Sequence, residues 1–473
     1  MEQITQGQYR IARLLTSACP IEKHSRFHAT VIAFTWILWL LYFVTQSVLA
    51  SRSVHFASRS PCWASLVAEF LLSVQELVLA TGLLVGLCSG GRRREPRPSY
   101  ELLGQSAPSI DVTITCCGEA VDIILDTVRA AASQEFPTER LRVLVLDDGH
   151  DEELRLQVAK LRCDSIQNGF STIEYRSRDV KKGEKSFFKA GNHNYGINQT
   201  REDGPSEYIA GLDCDMIPEP DWLKKSIGHL ILDDKLGMTV SPQRYYNVPP
   251  GDPLGQQADF SMYFSVQEIL NDSLHACMCT GTGYVARRRA LEDIGGWPLV
   301  ECGEDYMCSA VLSDAGWGIA YVRDNLQYGL CPESMQALLK QRMRWTDAAI
   351  EVFKQFRFYL GRTGLTAQMT WDQRMVNLLY VFRDYAPVTT VFALMTMPLL
   401  LYPSRSPDIA SKDTPHPYNL VLAVRYLCLA QWVSNKLCYL LIYHHIGLSR
   451  VWNFQSNEIW AAPCEQPLTL PGS

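Results

Sequence analysis

Two carboxylates one residue apart, Asp213 and Asp215, directly follow a short apolar run in the middle of the chain. Such a pair can approach one hard divalent cation that also bridges a diphosphate. Mg²⁺ or Mn²⁺ fits this chemistry, because both ions prefer oxygen ligands and keep phosphate oxygens in their coordination shell. In a chain with 50 acidic residues an Asp-x-Asp pair is often a solvated turn. Its position after an apolar run leaves the metal site and the turn as equal alternatives.

Two other acidic clusters have a simple structural explanation beside a chemical one. The Asp-Asp-Gly sequence that contains Asp148 is a favoured turn, because Asp and Gly suit the backbone of tight turns. Glu304 and Asp305 open a helical stretch, where carboxylates usually cap the helix or interact with its dipole. Taken separately, both clusters are explained by local structure.

A cluster of different chemistry lies on a predicted helix over residues 333–358. Gln341, Arg344 and Trp345 are spaced i, i+3 and i+4, so they share one face of that helix. The Arg can neutralise a departing phosphate, and the indole can stack on a sugar ring. An amphipathic helix lying on a membrane would also place Arg and Trp at the headgroup level, and the two interpretations are compatible.

The elements that must position these clusters alternate between strand and helix. Residues 111–115, 141–146 and 208–212 are short apolar runs, and amphipathic stretches over 121–133 and 151–161 follow the first two. This alternation predicts an α/β domain with a mostly parallel sheet covered on both faces. Ligands of such sheets bind beyond the carboxyl ends of the strands, which is where the acidic clusters lie.

Apolar residues make up 47% of the 473 residues and are concentrated at the two ends of the chain. Four runs predict transmembrane helices, because about 20 apolar residues cross the hydrocarbon core of a membrane. They are residues 29–50, 62–88, 386–402 and 418–443. The first run has the alternative of a cleaved signal peptide, and the second that of a buried helix in a soluble domain.

Basic residues at 92–94 and before the first run predict that the middle segment faces the cytosol. The sequence therefore predicts an integral, multi-pass protein of the plasma membrane or an endomembrane with a cytosolic catalytic domain. The 15 cysteines are scattered without a Cys-x-x-Cys sequence, which predicts free thiols and neither a disulfide framework nor structural zinc. A net charge of −6 excludes the basic surface expected of a nucleic-acid-binding protein.

The motifs occur in an order that resembles the processive membrane glycosyltransferases of family 2, the cellulose synthase and hyaluronan synthase type. They are Asp-Asp-Gly at 147–149, Lys-Ala-Gly-Asn at 189–192, Asp-x-Asp at 213–215, Glu-Asp at 304–305 and Gln-x-x-Arg-Trp at 341–345. The resemblance covers about residues 111–402. It implies a GT-A type nucleotide-sugar domain with flanking transmembrane and interfacial helices.

The resemblance also implies which residues bind the donor. Glu119 and Asp148 would contact the uridine, and Lys189 would reach the base or the phosphates. Asp213 would lie on the diphosphate side, and Asp215 would be the direct ligand of Mn²⁺ or Mg²⁺.

The residues of catalysis are implied in the same way. Asp305 in the pair with Glu304 would be the general base that deprotonates the acceptor hydroxyl, which gives inversion at the anomeric carbon. Gln341, Arg344 and Trp345 would hold the leaving UDP and the terminal unit of the acceptor. One departure from the family pattern is Gly at position 303, where the usual motif has Thr before Glu-Asp.

The predicted organisation has six parts. They are a cytosolic N-terminal segment (1–28), two transmembrane helices (29–90), a cytosolic GT-A domain (97–330), interfacial helices with the Gln-x-x-Arg-Trp motif (331–376), two more transmembrane helices (377–443) and a cytosolic tail (444–473).

We therefore predict an inverting, metal-dependent glycosyltransferase that moves a hexose from a UDP-sugar onto a hydroxyl at the membrane, with membrane lipid as a further partner. In one version the acceptor is a growing polysaccharide. In the alternative, a lipid or lipophilic small molecule is glycosylated once or a few times. The usual activity of the resembled family favours the polysaccharide acceptor. The small number of predicted spans favours the lipid or lipophilic acceptor. An inactive membrane scaffold is disfavoured, because Asp215, Asp305 and Arg344 are all present. A transporter is disfavoured, because it would leave the large cytosolic α/β domain unexplained.

Overall fold

The computed structural model describes residues 2–14, 25–56, 97–168, 171–180, 185–248, 263–359 and 366–380, together with residues 426, 427, 430, 433 and 434. These residues fall into two compact units. Residues 2–14 and 97–374 belong to the first unit, and residues 25–56 and those from 375 onward belong to the second.

The strands are β1 (Glu2–Gln6), β2 (Tyr9–Leu14), β3 (Ser99–Leu103), β4 (Ile110–Cys116), β5 (Leu141–Asp147), β6 (Thr172–Ser177), β7 (Tyr208–Asp213), β8 (Met216–Pro218), β9 (Leu236–Val240), β10 (Arg244–Tyr245), β11 (Tyr284–Arg287), β12 (Gly318–Tyr321) and β13 (Gln327–Gly329). The α-helices are α1 (Ser25–Phe56), α2 (Val121–Ala132), α3 (Glu152–Asn168), α4 (Phe188–Glu202), α5 (Trp222–Leu232), α6 (Glu268–Ser273), α7 (Arg288–Asp293), α8 (Glu304–Asp314) and α9 (Met335–Gln355). Residues 371–380 are also helical.

A seven-stranded sheet in the order β12-β9-β11-β7-β4-β5-β6 forms the centre of the first unit. Its strands run parallel except β11, which is antiparallel to both of its neighbours. The sequence prediction of a mostly parallel sheet is thereby confirmed. All seven residues of β4 are buried, as expected of a strand covered on both faces.

Helices cover this sheet on both sides. On one face, apolar side chains of β4 and β7 such as Val112 and Ala210 join one core cluster with α2, α3 and α5. On the other face, side chains such as Ile209 of β7 join a second cluster with α4, α7 and α8. Alternate residues of one strand therefore point into different cores. This three-layer arrangement leaves the carboxyl ends of the strands as the edge available to a ligand.

The N-terminal segment forms a β-hairpin. Strands β1 and β2 are joined by the two-residue turn Gly7-Gln8, in which Gly7 has φ +58°, an angle that Gly adopts without steric cost. Strand β2 pairs antiparallel with β3, and this small sheet packs on α5. The rings of Tyr100 and His229 meet edge-on there at 4.9 Å.

The second unit contains α1, a helix of 32 residues. The hydroxyl of Thr35 in α1 lies 2.7 Å from the hydroxyl of Ser434. Within the described ranges, no helix is both long and apolar enough to cross a membrane. The predicted location as an integral multi-pass protein is therefore wrong. A span needs about 20 predominantly apolar residues in one helix. The predicted spans over 62–88 and 386–402, and most of 418–443, lie outside the described residues.

Candidate active site

The Asp-x-Asp pair lies where β7 ends. Asp213 is the last residue of that strand, and the chain turns through Cys214 and Asp215 into β8. Burial, and then the neighbouring charge of Asp213, raise the pKa of Asp215 to about 6. The segment is thus a turn, the simpler of the two sequence interpretations, but its carboxylates are crowded and partly desolvated. Such a pair is stabilised by a cation.

A buried hydrogen-bond chain fixes the backbone of Asp213. Its N–H donates to Thr282 Oγ1 at 3.0 Å, and the Thr282 hydroxyl donates to Gln327 Oε1 at 3.1 Å. The Gln327 amide in turn donates to the Thr282 carbonyl at 3.2 Å. Gln327 is fully buried. Sequence patterns identified neither Thr282 nor Gln327, because β7, β11 and β13 are distant in sequence and come together only in the folded chain.

Lys189, in the first turn of α4, places its ammonium beside the carboxylate of Asp213. Its Nζ lies 2.5 Å from Asp213 Oδ1 and donates to the Gly281 carbonyl at 2.8 Å. Glu304 Oε1 is 3.9 Å away. Burial opposes the charge of this ammonium, but the adjacent Asp213 and Glu304 carboxylates raise the pKa of Lys189 overall.

Asp305 faces this cluster from the N-terminus of α8. A Cβ atom added to Gly281 would lie 2.8 Å from Asp305 Oδ2 and 3.3 Å from Lys189 Nζ, which places both groups around one backbone position. Asp305 Oδ1 also accepts the Tyr306 N–H at 2.7 Å, so this carboxylate satisfies one of the N–H groups in the first turn of α8. Burial, and then the charge of Glu304, raise the pKa of Asp305 to about 7.

The structure therefore brings five residues from three motifs together at one edge of the sheet. They are Lys189, Asp213, Asp215, Glu304 and Asp305. Among the described residues, no group of three or more His, Cys, Asp or Glu side chains is placed to hold a metal ion. Two carboxylates are nevertheless a donor set that fits Mg²⁺ or Mn²⁺, because such ions take one or two protein carboxylates and complete their shell with substrate phosphates and water.

Asp148 occupies a different position, two strands away from β7 at the end of β5. Its carboxylate accepts two hydrogen bonds from Arg178, at 2.8 Å from Nε and 2.7 Å from Nη2. The neighbouring Asp147 forms the turn itself, since it accepts the Gly149 N–H and the Tyr175 hydroxyl, both at 2.7 Å. Arg178 belongs to no motif recognised in the sequence. A bidentate pair of this kind fixes the orientation of Asp148.

Glu119 lies in the loop between β4 and α2 and is exposed. Its Oε2 accepts the N–H of Cys117 at 2.6 Å. Its charge contributes to the raised pKa of Asp215, so it lies within electrostatic reach of the Asp-x-Asp pair.

Helix α9 carries the Gln-x-x-Arg-Trp residues and contacts the loop before Asp305. A Cβ atom at Gly303, where φ is +76°, would lie 2.6 Å from Ala348 Cβ. The Cys302 thiol donates to the Arg344 carbonyl at 3.3 Å. Gly at position 303, the departure from the family pattern noted above, suits a left-handed backbone and a close approach to α9.

The exposed face of α9 presents Arg344 and Trp345, and Gln341 is half-buried beside them. The guanidinium of Arg342 lies 4.5 Å from the centre of the Trp345 ring, a cation–π contact that holds the indole. Burial lowers the pKa of Arg342 to about 10. Sequence analysis gave Arg342 no role, although its i, i+3 spacing from Trp345 was the available signal.

Comparison with known proteins decides the family. Residues 107–348, which include all of the site residues just described, match the family described as Glycosyltransferase like family 2. The chain belongs to this family.

Relatives of this family-2 chain include cellulose synthase subunits. The cellulose synthase 1 catalytic subunit (UDP-forming) of Komagataeibacter xylinus is 30% identical over 260 residues, which are 54% of this chain and 32% of that protein. The cellulose synthase catalytic subunit (UDP-forming) of Pseudomonas fluorescens strain SBW25 is 30% identical over 276 residues, 57% of this chain and 34% of that protein. The chain thus spans about a third of the length of these relatives.

A solved structure with a similar chain path is a mannosyltransferase from Pyrobaculum calidifontis in complex with GDP-Man and Mn²⁺. The TM-score is 0.49 and the sequence identity 14%, over 82% of this chain and 99% of that one.

Proposed function

We propose that this family-2 protein is an inverting, metal-dependent glycosyltransferase that transfers a hexose from a UDP-sugar to a hydroxyl group of a polysaccharide. The observation that carries the proposal is the convergence of Lys189, the Asp-x-Asp carboxylates and Asp305 at the carboxyl end of β7. The names of the relatives, which describe them as UDP-forming, support a uridine nucleotide as the donor.

On the donor side, Asp215 and Asp213 would hold Mn²⁺ or Mg²⁺. When bound, the ion neutralises the diphosphate and so favours its departure. Lys189 is placed to contact the phosphates as a second positive charge. Asp148 and Glu119 would contact the uridine, and the fixed geometry of Asp148 beside Arg178 suits a hydrogen bond to a base or ribose.

Asp305 would act as the general base. It takes the proton of the acceptor hydroxyl while the hydroxyl oxygen forms a bond to the anomeric carbon and the bond from that carbon to the UDP oxygen breaks. Attack from the face opposite UDP inverts the configuration. A pKa of about 7 suits this role, because a base works best when its pKa lies near the working pH. Glu304 contributes by raising that pKa.

The acceptor side is assigned to α9. Arg344 would neutralise the leaving UDP, and Gln341 would hydrogen-bond to it or to the acceptor. Trp345, which is 40% exposed, offers an aromatic face on which a terminal sugar can stack. The cation–π contact with Arg342 keeps this face in position.

A direct test incubates the full-length protein with a panel of labelled UDP-sugars and Mn²⁺ or Mg²⁺, and then separates polymer from organic-soluble product. We expect labelled polymer from one UDP-hexose. Asp305→Asn should lose most of the transfer, by about 10²- to 10⁴-fold, while it retains UDP binding. Asp293→Asn, which changes an acid of α7 outside the site, is the matched control.

Two results would count against the proposal. Transfer at the wild-type rate by folded Asp305→Asn protein would return Glu304 and Asp305 to the role of helix cap. Detection of only mono- or oligoglycosylated, organic-soluble product would show that the acceptor is lipophilic and not a polysaccharide.

A further inference from the structure

Lys189 is the cation that the carboxylates of the candidate active site share. Its ammonium is 2.5 Å from Asp213 Oδ1 and 3.9 Å from Glu304 Oε1, and it donates to the Gly281 carbonyl. The charge of Asp305 also acts on it. One positive charge therefore lies between the carboxylates of the Asp-x-Asp turn and those of α8.

We propose that Lys189 is a built-in counterion that occupies Asp213 in the resting protein and competes with the divalent metal ion for it. The arrival of the donor diphosphate then gives the ammonium a new partner and releases Asp213 to the metal. This inference rests on the proposed function, because it concerns the same donor site.

Distance supports the competition. At 2.5 Å, the ammonium is in direct contact with Asp213 Oδ1, so it offsets the negative charge that this carboxylate would otherwise offer to a metal ion. Ammonium and a divalent ion placed on one carboxylate pair also repel each other across a partly desolvated space, where charges interact more strongly than in water. A bound diphosphate offsets this repulsion, because its negative charge attracts the ammonium and the metal ion at once.

The backbone before Lys189 shows that this position is specified rather than incidental. Phe187 and Phe188 have φ values of +51° and +40°, in the left-handed region that is sterically unfavourable for a non-Gly residue. The conformation is held by Arg178, whose Nη2 donates to the Phe188 carbonyl at 3.0 Å while the same guanidinium binds Asp148. The start of α4 is therefore fixed, and the Lys189 side chain is left as the part that can change partner.

The test measures Mn²⁺ binding by the loss of the free-ion electron paramagnetic resonance signal, with and without UDP, and therefore does not depend on turnover. Without UDP, Lys189→Met should bind Mn²⁺ about tenfold more tightly than wild type, because a unit charge next to the ligands is gone. With saturating Mn²⁺, the same variant should bind UDP about tenfold more weakly. The two changes have opposite signs, which a merely structural role does not produce.

Lys185→Met is the matched control. Lys185 lies four residues before Lys189 and forms an exposed ion pair with Glu301 at 2.8 Å, so its replacement removes the same charge from the same segment without touching the carboxylates. Both affinities should stay at the wild-type value. Where Lys189→Met does not fold, Lys189→Gln serves in its place, because its amide can still donate to the Gly281 carbonyl.

Unchanged or weaker Mn²⁺ binding by a folded Lys189 variant, together with weaker UDP binding, would overturn the inference and leave Lys189 as a simple phosphate ligand. That result would leave the proposed function intact. Wild-type protein that binds neither UDP nor Mn²⁺ would instead remove the proposed function, and this inference with it.

Discussion

Gly303 is a position at which a single added methyl group should cause measurable damage near the candidate active site. Gly303→Ala adds a Cβ atom to a residue with φ +76°, in the left-handed region, and places it 2.6 Å from Ala348 Cβ. Both Cβ atoms are bonded directly to the backbone, so neither can move away by a side-chain rotation. Either the loop before Asp305 or helix α9 must move.

The expected loss of stability has two parts. The left-handed backbone costs a non-Gly residue about 1–2 kcal/mol, and overpacking against a fixed neighbour costs about 1–3 kcal/mol. Together they predict that the free energy of unfolding falls by about 2–5 kcal/mol. Transfer activity should fall as well under conditions where the protein is folded, because α9 carries Arg344 and Trp345.

The control is Gly316→Ala, just after the other end of α8. Gly316 has φ +86°, but an added Cβ atom meets nothing within 4 Å. Its cost should therefore be the backbone part alone, about 1–2 kcal/mol. Urea unfolding followed by far-ultraviolet circular dichroism gives both values. Equal losses for the two variants would refute the contact with Ala348, and no loss in either would refute the strained backbone.

Three further predictions concern the chemistry of the site. Thr282→Val should leave the Asp213 N–H without its acceptor and weaken Mn²⁺-dependent UDP binding, whereas Thr282→Ser should keep the acceptor and the affinity. Isothermal titration of both variants distinguishes a hydrogen bond from packing. Equal affinities would contradict the role of the hydroxyl. Asp215→Ala should weaken UDP binding with Mn²⁺ present and change it little without metal, so equal affinities at saturating metal would remove Asp215 as a ligand. Because the pKa of Asp305 is raised to about 7, its basic form is lost as the pH falls below that value, and the transfer rate should drop about tenfold per pH unit there; a rate that stays constant down to pH 5 would contradict Asp305 as the base.

The sheet and its helices could be predicted because their patterns are local. The strand expected at 141–146 is observed as Leu141–Asp147, and the helix expected at 333–358 as Met335–Gln355. A continuous apolar run bounded by polar residues predicts a buried parallel strand without any knowledge of its neighbours. The acidic clusters could be placed at the sheet edge for the same reason, since parallel strands end on one side.

The contacts that complete the site could not be predicted, because they join distant parts of the chain. Arg178 stands in a charged stretch in which nothing marks it as the partner of Asp148. Thr282 and Gln327 are ordinary polar residues until the fold brings them under Asp213. The hairpin at the N-terminus was also missed, although Gly7 between two short runs of mixed polarity is the kind of signal that a two-residue turn leaves.

The pairing of β2 with β3 has a consequence for how the first unit can be made. Leu14 of β2 lies opposite Ser99 of β3, so the chain leaves the unit and returns to it at directly paired residues, whose Cα atoms in an antiparallel ladder are about 5 Å apart. A turn of two to four residues can bridge that distance. Replacement of residues 15–96 by a turn that ends in Arg97 and Pro98 would convert β2 and β3 into a plain hairpin and make the first unit continuous in sequence, with Ile11 and Leu102 still covered. It would also keep the buried ion pair between Arg97 and Asp272. A version that simply starts at residue 97 would instead lose β1 and β2, expose the side chains that they bury, and leave β3 as an open edge.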